Sequence, residues 1–382
     1  MISRYPLRTI LITSALQCVA TTAALAGDGD INIDGEVNAA DITWSYQKLI
    51  GDRVLTAEQF LHGDVAPLVS GVPQPDGFFD AGDVSIITRI ALGELNFLFA
   101  KNQFNIGDSI GEGEAADGSI GEPHHETVWS TGYNGSDSVD TFNERFELLS
   151  PLDYYENNLG RDAIFNHAES GAVMADFETQ VQNVIAASAS TPSGKADMVT
   201  VLLGSNDVCA VDMASMTDPS LFESQYRAGL EALKDNQSTK HAQIHVSSLP
   251  AIYWLWESKR NDFLCPFIWS FVPCENLLDN PQDDCADSTS RLDPDNDYPG
   301  DGPNCARRKE FHALIRDTYN PILEDVLAEY RDNGELPNAR YIDIFPIRFQ
   351  SSDVNNGDCF HPSTAGHSLL AEEEWCETHW GR

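Results

Sequence analysis

The sequence contains three side chains of the types that nucleophilic catalysis requires: the hydroxyl of Ser109, the imidazole of His361 and the carboxylate of Asp358. At neutral pH a hydroxyl becomes a nucleophile only beside a base, and a third group must orient that base. Asp358 lies three residues before His361, a spacing that lets its carboxylate reach Nδ1 of the ring while Nε2 faces Ser109. The pattern predicts Ser109 as nucleophile, His361 as general base and Asp358 as orienting acid.

A tetrahedral intermediate of acyl transfer also needs hydrogen-bond donors for its negative oxygen. The backbone N–H groups of Ser109 and Gly171 and the side-chain amide of Asn206 are three candidate donors. Glycine at position 171 lets the backbone approach an anion closely. Together with the first three side chains, this set predicts acyl transfer to water through a seryl ester.

Short apolar runs alternate with longer amphipathic runs after residue 93. They predict strands at 103–106, 197–203, 243–248 and 340–345, and helices at 176–188, 222–236, 307–331 and 362–379. Such alternation predicts an α/β fold in which helices cover both faces of a parallel sheet, with sites at the carboxyl ends of the strands. Ser109 and Asn206 each follow a predicted strand, so both are expected at that edge.

Four motifs resemble, in order, the sequence blocks of the SGNH/GDSL hydrolases over about residues 100 to 380. They are Gly107-Asp108-Ser109, Gly171, Gly204-x-Asn206-Asp207 and Asp358-x-x-His361-Pro362. The resemblance implies a flavodoxin-like three-layer α/β/α fold and ester hydrolysis without a catalytic cofactor. It also implies Ser109, His361 and Asp358 as the catalytic residues, and Ser109, Gly171 and Asn206 as the oxyanion hole.

The sequence is compatible with two classes of ester substrate. The motifs look more like those of phospholipase B and lipase-type members, which favours lipid or phospholipid acyl esters. The aromatic stretch from Ile252 to Cys274 is typical of core, and it also fits an acyl-chain groove or lid. A carbohydrate O-acetylesterase attached to a polysaccharide-degrading assembly is the alternative. A calcium-dependent attachment protein with an inert hydrolase fold is the non-enzymatic interpretation, which the intact catalytic set disfavours.

A repeat between Asp28 and Leu95 predicts calcium-binding loops. Its first copy places oxygen side chains at loop positions 1, 3, 5, 9 and 12, a glycine at position 6 and a backbone carbonyl at position 7, as an EF-hand-type loop does. The second copy carries an eight-residue insertion. The predicted ligands are Asp30, Asn32, Asp34, Glu36, Asn38 and Asp41 in the first copy, and Asp64, Asp76, Asp80 and Asp83 in the second.

Both copies continue into a helix that stops at a glycine, from Asp41 to Gly51 and from Asp83 to Gly93. The repeat resembles the type I dockerin module, a small all-α, EF-hand-like unit. The resemblance implies structural calcium and a cohesin-like protein partner. A calcium-stabilised spacer without a partner is the alternative.

The first 26 residues predict a signal peptide. Arg4 and Arg8 precede an apolar stretch from Ile10 to Ala20, and Ala24-Leu25-Ala26 supplies the small residues of a cleavage site. We therefore expect a secreted protein, extracellular or periplasmic, without a stable membrane anchor; an uncleaved anchor is the alternative. The predicted domains are the signal peptide at 1–26, the dockerin-like module at 27–98 and the hydrolase domain at 99–382.

The charge and the cysteine content limit which binding partners and which cellular compartment we expect for this chain. The chain has 23 Lys and Arg against 60 Asp and Glu, a net charge of −37, which disfavours a nucleic-acid partner. Cys18 lies in the signal, and the seven cysteines that remain leave one thiol outside any intramolecular pairing. Their connectivity stays open, with a preference for the local pairs Cys265–Cys274 and Cys285–Cys305.

Overall fold

The computed structural model describes residues 28–34, 37–69, 72–73, 75–92, 95, 102–133, 135–149, 165–191 and 194–378. The predicted signal peptide lies outside the described residues, as do Gly35 and Glu36 of the first predicted calcium loop. None of the helices in the described ranges is long and apolar enough to cross a lipid bilayer.

Regular elements within the described residues follow the predicted alternation of strand and helix. The strands are β1 (Leu68–Val69), β2 (Val72–Pro73), β3 (Gln103–Gly107), β4 (Met198–Leu202), β5 (Gln243–Ser247) and β6 (Ala339–Ile342). The α-helices are α1 (Ala39–Leu49), α2 (Ala57–Gly63), α3 (Ala81–Ala91), α4 (Ser109–Glu112), Phe142–Leu149, Phe177–Ser188, Ser205–Val208, Pro219–Asp235, Tyr253–Lys259, Cys265–Ile268, Glu275–Leu278, Ser288–Arg291, Pro303–Leu314, Asn320–Asp332 and Thr364–Glu377. Shorter 3-10 turns lie at His125–Thr127, Met174–Asp176, Met213–Ser215 and Trp269–Phe271.

One predicted helix, 307–331, is divided in the structure. Its two α-helical parts, Pro303–Leu314 and Asn320–Asp332, are joined by a π-helical turn at Ile315–Tyr319. The turn directly precedes the part that contains Pro321, whose missing N–H interrupts the regular hydrogen bonding of a helix. The predicted single helix is therefore interrupted by a wider turn just before this proline.

The strands β3 to β6 form a parallel sheet in that order. A parallel bridge pairs Asn105 of β3 with Asn166 on the side of β3 that faces away from β4. The chain therefore leaves β3 toward one side and enters β4 on the other. In an open α/β sheet such a reversal opens a crevice between the carboxyl ends of the two strands, where ligands bind.

Helices cover both faces of this sheet. Neighbouring residues of a strand point to opposite faces, so Val199 and Met198 of β4 belong to different apolar clusters. Val199 packs in the cluster that includes helices Phe177–Ser188 and Pro219–Asp235, whereas Met198 packs in the cluster that includes helix Thr364–Glu377. The predicted α/β fold with a parallel, helix-covered sheet is confirmed.

The two copies of the amino-terminal repeat start their helices in the same way. Asn38 caps α1 with backbone angles φ −143° and ψ −163°, and Asp80 caps α3 with φ −135° and ψ −165°. Asp41 and Asp83, three residues after the caps, return a carboxylate to the cap N–H, and both are fully buried. The duplication seen in the sequence is therefore a duplication of local structure.

A shared apolar core joins the two copies. Ile31 and Val65, each directly after the first acid of its loop, are fully buried with Ile87 of α3. The strands β1 and β2, which pair antiparallel, lie within the insertion of the second copy. The insertion therefore leaves the position of Val65 in the core equivalent to that of Ile31.

Three disulfides lie in the larger part of the chain: Cys209–Cys274, Cys265–Cys359 and Cys285–Cys305. The pair Cys285–Cys305 confirms the sequence-based preference, and the preference for Cys265–Cys274 is wrong. Cys265 pairs with Cys359 across 94 residues because the fold brings the segment after β5 against the loop before the last helix. Disulfides are compatible with an oxidising, extracellular compartment.

Gln180 joins its helix to the end of β3. Its buried side-chain amide donates from Nε2 to the carbonyl of Gly107 and accepts from the N–H of Gly107, both at 2.9 Å. A side chain thus satisfies both polar groups of the backbone where the sheet ends.

Replacing Gln180 with alanine should lower the free energy of unfolding by about 1 to 3 kcal/mol, because the buried N–H of Gly107 loses its partner and the carbonyl of Gly107 keeps only the N–H of Glu169. Urea unfolding followed by tryptophan fluorescence measures this. Gln182→Ala, an exposed position on the same helix, is the matched control and should change stability by less than about 0.5 kcal/mol. Equal effects of the two substitutions would contradict the role given to Gln180.

Candidate active site

Ser109 is the first residue of α4, directly after β3. Asp108 caps this short helix, since its Oδ1 accepts a hydrogen bond from the N–H of Ile110 at 3.0 Å. Burial raises the pKa of Asp108 to about 6, against the lowering effects of the Ile110 N–H and the charge of His361. Asp108 therefore turns the chain, and Ser109 lines the cavity at the end of the sheet.

A buried amide network holds α4 in place. Asn105 of β3 and Asn166 of the bridging segment both donate from Nδ2 to the carbonyl oxygen of Gly111, each at 2.9 Å. Asn105 also accepts from the hydroxyl of Thr200 on β4 at 2.9 Å. The helix that begins with Ser109 is thus fixed to two strands and to the segment that leads to Gly171. Sequence analysis did not assign this role to either asparagine, because it depends on strand pairing.

Asp358 and His361 meet within one turn of the chain. Asp358 Oδ2 lies 2.8 Å from His361 Nδ1, and its Oδ1 accepts hydrogen bonds from the N–H groups of Phe360 and His361 at 2.9 and 3.2 Å. Such a side-chain-to-backbone turn is typical of aspartate. The carboxylate therefore shapes the loop and orients the imidazole at the same time.

Two further residues support that loop. Cys359 has a φ of 56°, in the left-handed region that residues other than glycine rarely adopt, and its disulfide to Cys265 holds it there. Asn355 donates its backbone N–H to the carbonyl of His361 at 2.9 Å and its side-chain amide to the carbonyl of Ala115. The loop is thereby attached to the segment that follows Ser109. No signal in the sequence identifies Asn355.

His361 is surrounded by negative charge. Burial lowers its pKa, but the hydrogen bond and charge of Asp358, with the charges of Glu114 and Asp108, outweigh burial and raise the pKa above its ordinary value. Glu114 Oε2 lies 3.8 Å from His361 Nε2. Ser109 and His361 line the same cavity, and the contacts of the His361 ring nitrogens are with Asp358 and Glu114.

Of the three predicted donors of the oxyanion hole, Ser109 and Asn206 line this cavity, whereas Gly171 is not among its lining residues. Asn206 donates from Nδ2 to the carbonyl of Ala172 at 2.9 Å, which uses one of the two N–H groups of its amide and leaves the other. Gly171 adopts the left-handed conformation at φ +81°, which favours glycine. Asp207 accepts the N–H of Met174 at 2.7 Å and so braces this segment against the end of β4.

Two glutamates from the segment after Ser109 hold the residue before Gly171. Glu112 accepts the N–H of Ser170 at 2.7 Å, and Glu114 accepts the hydroxyl of Ser170. The structure therefore connects Ser109 to the Gly171 segment on one side and to His361 on the other. No local sequence pattern identifies either glutamate, because their partners are more than 50 residues away.

The cavity beside these groups is mainly apolar. Its polar lining consists of Asp108, Ser109, Ser205, Asn206 and His361. Its apolar lining comes from the segments after all four sheet strands and from the last helix, and includes Ile110, Leu202, Pro250, Ile252, Leu255, Ile344, Phe349, Val354, Phe360, Pro362 and Leu370. A chain of methylene groups fits such a lining better than a sugar does.

The aromatic stretch from Ile252 to Cys274 divides between core and surface. Tyr253, Trp256 and Trp269 are buried, whereas Phe263, Phe267 and Phe271 are exposed. The interpretation as core is therefore correct for the first group only. Ile252 and Leu255 line the cavity, so the start of the stretch also contributes to the site.

Three carboxylates of the first amino-terminal loop converge. Asp30, Asp34 and Asp41 bring their oxygens within 4.8 Å of one another, and carboxylate oxygens are the ligands that Ca²⁺ prefers. Asn32 pairs with Asp34 at 2.8 Å, and the Asn38 side chain caps α1. Burial raises the pKa of Asp41, although backbone N–H groups oppose this.

The second loop is arranged differently. Asp64 accepts the N–H groups of Asp76 and Gly77, and Asp83 accepts those of Val65 and Ala66. No corresponding cluster of three carboxylates is found among the described residues of this copy. Asp80, another predicted ligand of this loop, caps α3 with its carboxylate.

Comparison with known families adds to this geometry. Residues 104–374 match the model of a family described as GDSL-like Lipase/Acylhydrolase. No curated protein matches the chain.

Glu114→Gln should move the acidic limb of the kcat/KM profile to lower pH. Glu114 helps to raise the pKa of His361; without its charge the imidazole stays neutral, and able to accept a proton, at lower pH. Hydrolysis of a soluble p-nitrophenyl ester across pH measures the shift.

Glu112→Gln is the matched control for that substitution. Glu112 also holds Ser170, but it is not among the main groups that raise the pKa of His361, which are Asp358, Glu114 and Asp108. Its acidic limb should stay where the wild type has it. A Glu114→Gln profile that superimposes on the wild-type profile would refute the electrostatic coupling.

Proposed function

The chain belongs to the GDSL-like lipase/acylhydrolase family and is a carboxylic ester hydrolase; from this premise we propose that it is a secreted serine hydrolase of lipid or phospholipid acyl esters. The observation that carries the proposal is the 2.8 Å contact between His361 Nδ1 and Asp358 Oδ2 at the edge of an apolar cavity that Ser109 also lines. An oriented base beside a hydroxyl is what acyl transfer requires.

In the proposed mechanism the Ser109 hydroxyl attacks the ester carbonyl while His361 Nε2 takes its proton. Asp358 keeps the proton on Nδ1 and stabilises the imidazolium that forms. His361 then protonates the departing alcohol, which leaves an acyl ester on Ser109. Water, deprotonated by the same imidazole, attacks this ester and releases the fatty acid.

Negative charge develops on the carbonyl oxygen in both steps. We assign its stabilisation to the N–H groups of Ser109 and Gly171 and to the second N–H of the Asn206 amide. The bonds of Asn206 to Ala172 and of Asp207 to Met174 support this role, because they hold the donors before the substrate arrives. Pre-positioned donors need no reorganisation as the charge forms.

The apolar lining of the cavity supports an acyl chain as the group that enters it. The three disulfides of the described residues support the secreted location. An acetylated polysaccharide would present polar hydroxyls to this lining and would leave most of it uncovered. We therefore place lipid esters first and the carbohydrate O-acetylesterase second.

For the amino-terminal module we propose structural calcium in the first loop, held by Asp30, Asp34 and Asp41 with Asn32, Asn38 and the carbonyl of Glu36 as the other predicted ligands. The convergence of three carboxylates supports this assignment. For the second loop we retain Asp64, Asp76, Asp80 and Asp83 as the ligand set. The exposed side chains Tyr46, Leu49 and Ile50 along α1 support a protein partner of the cohesin type.

Ser109→Ala should reduce kcat by about 10⁴-fold or more on every substrate that the wild type hydrolyses, because the nucleophile is lost. The test compares rates on a short-chain p-nitrophenyl ester, a long-chain lysophospholipid and an acetylated polysaccharide. We expect the lysophospholipid to be the best of the three. Ser205→Ala, the same change in the same cavity, should retain most of the activity.

Two results would overturn parts of this proposal. A Ser109→Ala protein with wild-type rates would exclude Ser109 as the nucleophile. Rapid deacetylation of the polysaccharide with little lysophospholipid hydrolysis would replace the lipid substrate with the carbohydrate one.

Asp34→Ala should remove calcium binding at the first loop, because it deletes one of the three converging carboxylates. Titration calorimetry of the full chain measures affinity and stoichiometry. Asp52→Ala, an exposed acid of the same module outside both loops, is the control and should bind as the wild type does. A stoichiometry of two would show that the second loop also binds, and no binding by the wild type would reject the site.

A further inference from the structure

Four large apolar side chains are exposed together beside the catalytic loop. Phe263, Phe267 and Phe271 are 94, 68 and 75% exposed, and Leu264 is 55% exposed. Phe267 and Phe271 contact each other with ring centroids 5.5 Å apart. We call these four residues the phenylalanine face. Exposing so much apolar surface to water is unfavourable, so we expect a binding partner to cover the phenylalanine face.

The phenylalanine face follows the chain from residue 263 to residue 271. Phe267 lies in the helix Cys265–Ile268, Phe271 ends the 3-10 turn that continues it, and Phe263 lies two residues before the helix. The ring contact between Phe267 and Phe271 places these two side chains on the same side. Cys265 and Trp269, at the intervening positions, are buried. The segment is therefore apolar on its exposed outer side as well as on its buried inner side.

Its inner side is attached to the loop that carries His361. Cys265 forms the disulfide with Cys359, and Trp269 donates its indole N–H to the carbonyl of Cys359 at 2.8 Å. The next residue, Phe360, lines the cavity and contacts the ring of His361 at 5.0 Å between centroids. The phenylalanine face is thus linked covalently to a residue that lies between Asp358 and His361.

The charge distribution selects the occupant. Residues 263–274 contain no charged side chain, in a chain whose net charge is −37. Two copies of such a negatively charged chain repel each other, and an anionic membrane also repels the chain. An uncharged or zwitterionic lipid layer accepts aromatic and aliphatic side chains into its interface and meets no repulsion.

We propose that the phenylalanine face inserts into a neutral or zwitterionic lipid surface and thereby brings the mouth of the active-site cavity to lipid that is still in the layer. The proposal rests on the proposed function, since it concerns how a lipid ester reaches Ser109. The contact is peripheral and reversible, made by four side chains. It gives an apolar acyl chain a path from the layer to the cavity without passage through water.

The experiment separates binding from catalysis. Binding is measured by flotation of the full chain with vesicles of an ether-linked phosphatidylcholine, which has no acyl ester to hydrolyse. The variant is Phe267→Gln with Phe271→Gln, two exposed positions outside the catalytic groups. Leu221→Gln, an exposed leucine on another helix, is the matched control. Rates are measured in parallel on a soluble short-chain p-nitrophenyl ester and on phosphatidylcholine vesicles.

We expect the double variant to lose vesicle affinity by about tenfold or more. Its rate on phosphatidylcholine vesicles should fall by a similar factor, while its rate on the soluble ester stays that of the wild type. Leu221→Gln should resemble the wild type throughout. Adding an anionic ether lipid to the vesicles should weaken wild-type binding, because the protein is strongly negative.

Four outcomes would overturn the inference. They are wild-type protein that does not float with the vesicles, a double variant that floats as well as the wild type, a Leu221→Gln protein that loses binding equally, and a wild-type dimer in light scattering that the double variant dissociates. The last would assign the face to a second copy of the chain. Loss of activity on the soluble ester by Ser109→Ala tests the proposed function, whereas vesicle flotation tests the lipid contact, so a failure of one proposal is distinguishable from a failure of the other.

Discussion

The contact between Asp358 and His361 is the constraint on which the site depends. A carboxylate that is mostly withdrawn from water is costly unless its oxygens accept hydrogen bonds. Here one oxygen accepts two backbone N–H groups of its own loop and the other accepts the imidazole. The same arrangement therefore meets the cost of burial, shapes the loop and selects the orientation of the ring.

That loop is supported from two directions by groups distant in sequence. Asn355 connects it to the segment after Ser109, and the disulfide of Cys359 connects it to the segment after β5. The glutamates of the first segment extend the connection to the residues before Gly171. The residues proposed as nucleophile, base and oxyanion donors are thus joined through contacts that converge on the crevice between β3 and β4. A loop with so many fixed contacts can hold His361 in place even when the adjacent surface meets a lipid layer.

Buried aspartates also accept backbone hydrogen bonds in the amino-terminal repeat. Asp41 and Asp83 each return a carboxylate to the start of a helix, and burial raises the pKa of both. A carboxylate whose charge is made costly by burial gains from a nearby cation. In the first copy two more carboxylates lie close to Asp41, whereas in the second the insertion separates the first acid from the rest of its loop in sequence. Both copies therefore share the same local structure. Among the described residues, the first copy alone brings three carboxylates together.

Local patterns in the sequence by themselves determined the alternation of strand and helix, the order of the four motifs, the family resemblance and the duplicated loop and helix of the repeat. Each of these depends on residues that are close in the chain, so periodicity and spacing reveal them. Only the tertiary structure decided that Cys265 pairs with Cys359, that Glu114 lies beside His361, and which aromatic residues of the stretch after β5 are buried. These depend on which strands pair and which loops meet. Asn355 and Ala115, 240 positions apart, become neighbours there, and no local pattern records such a contact.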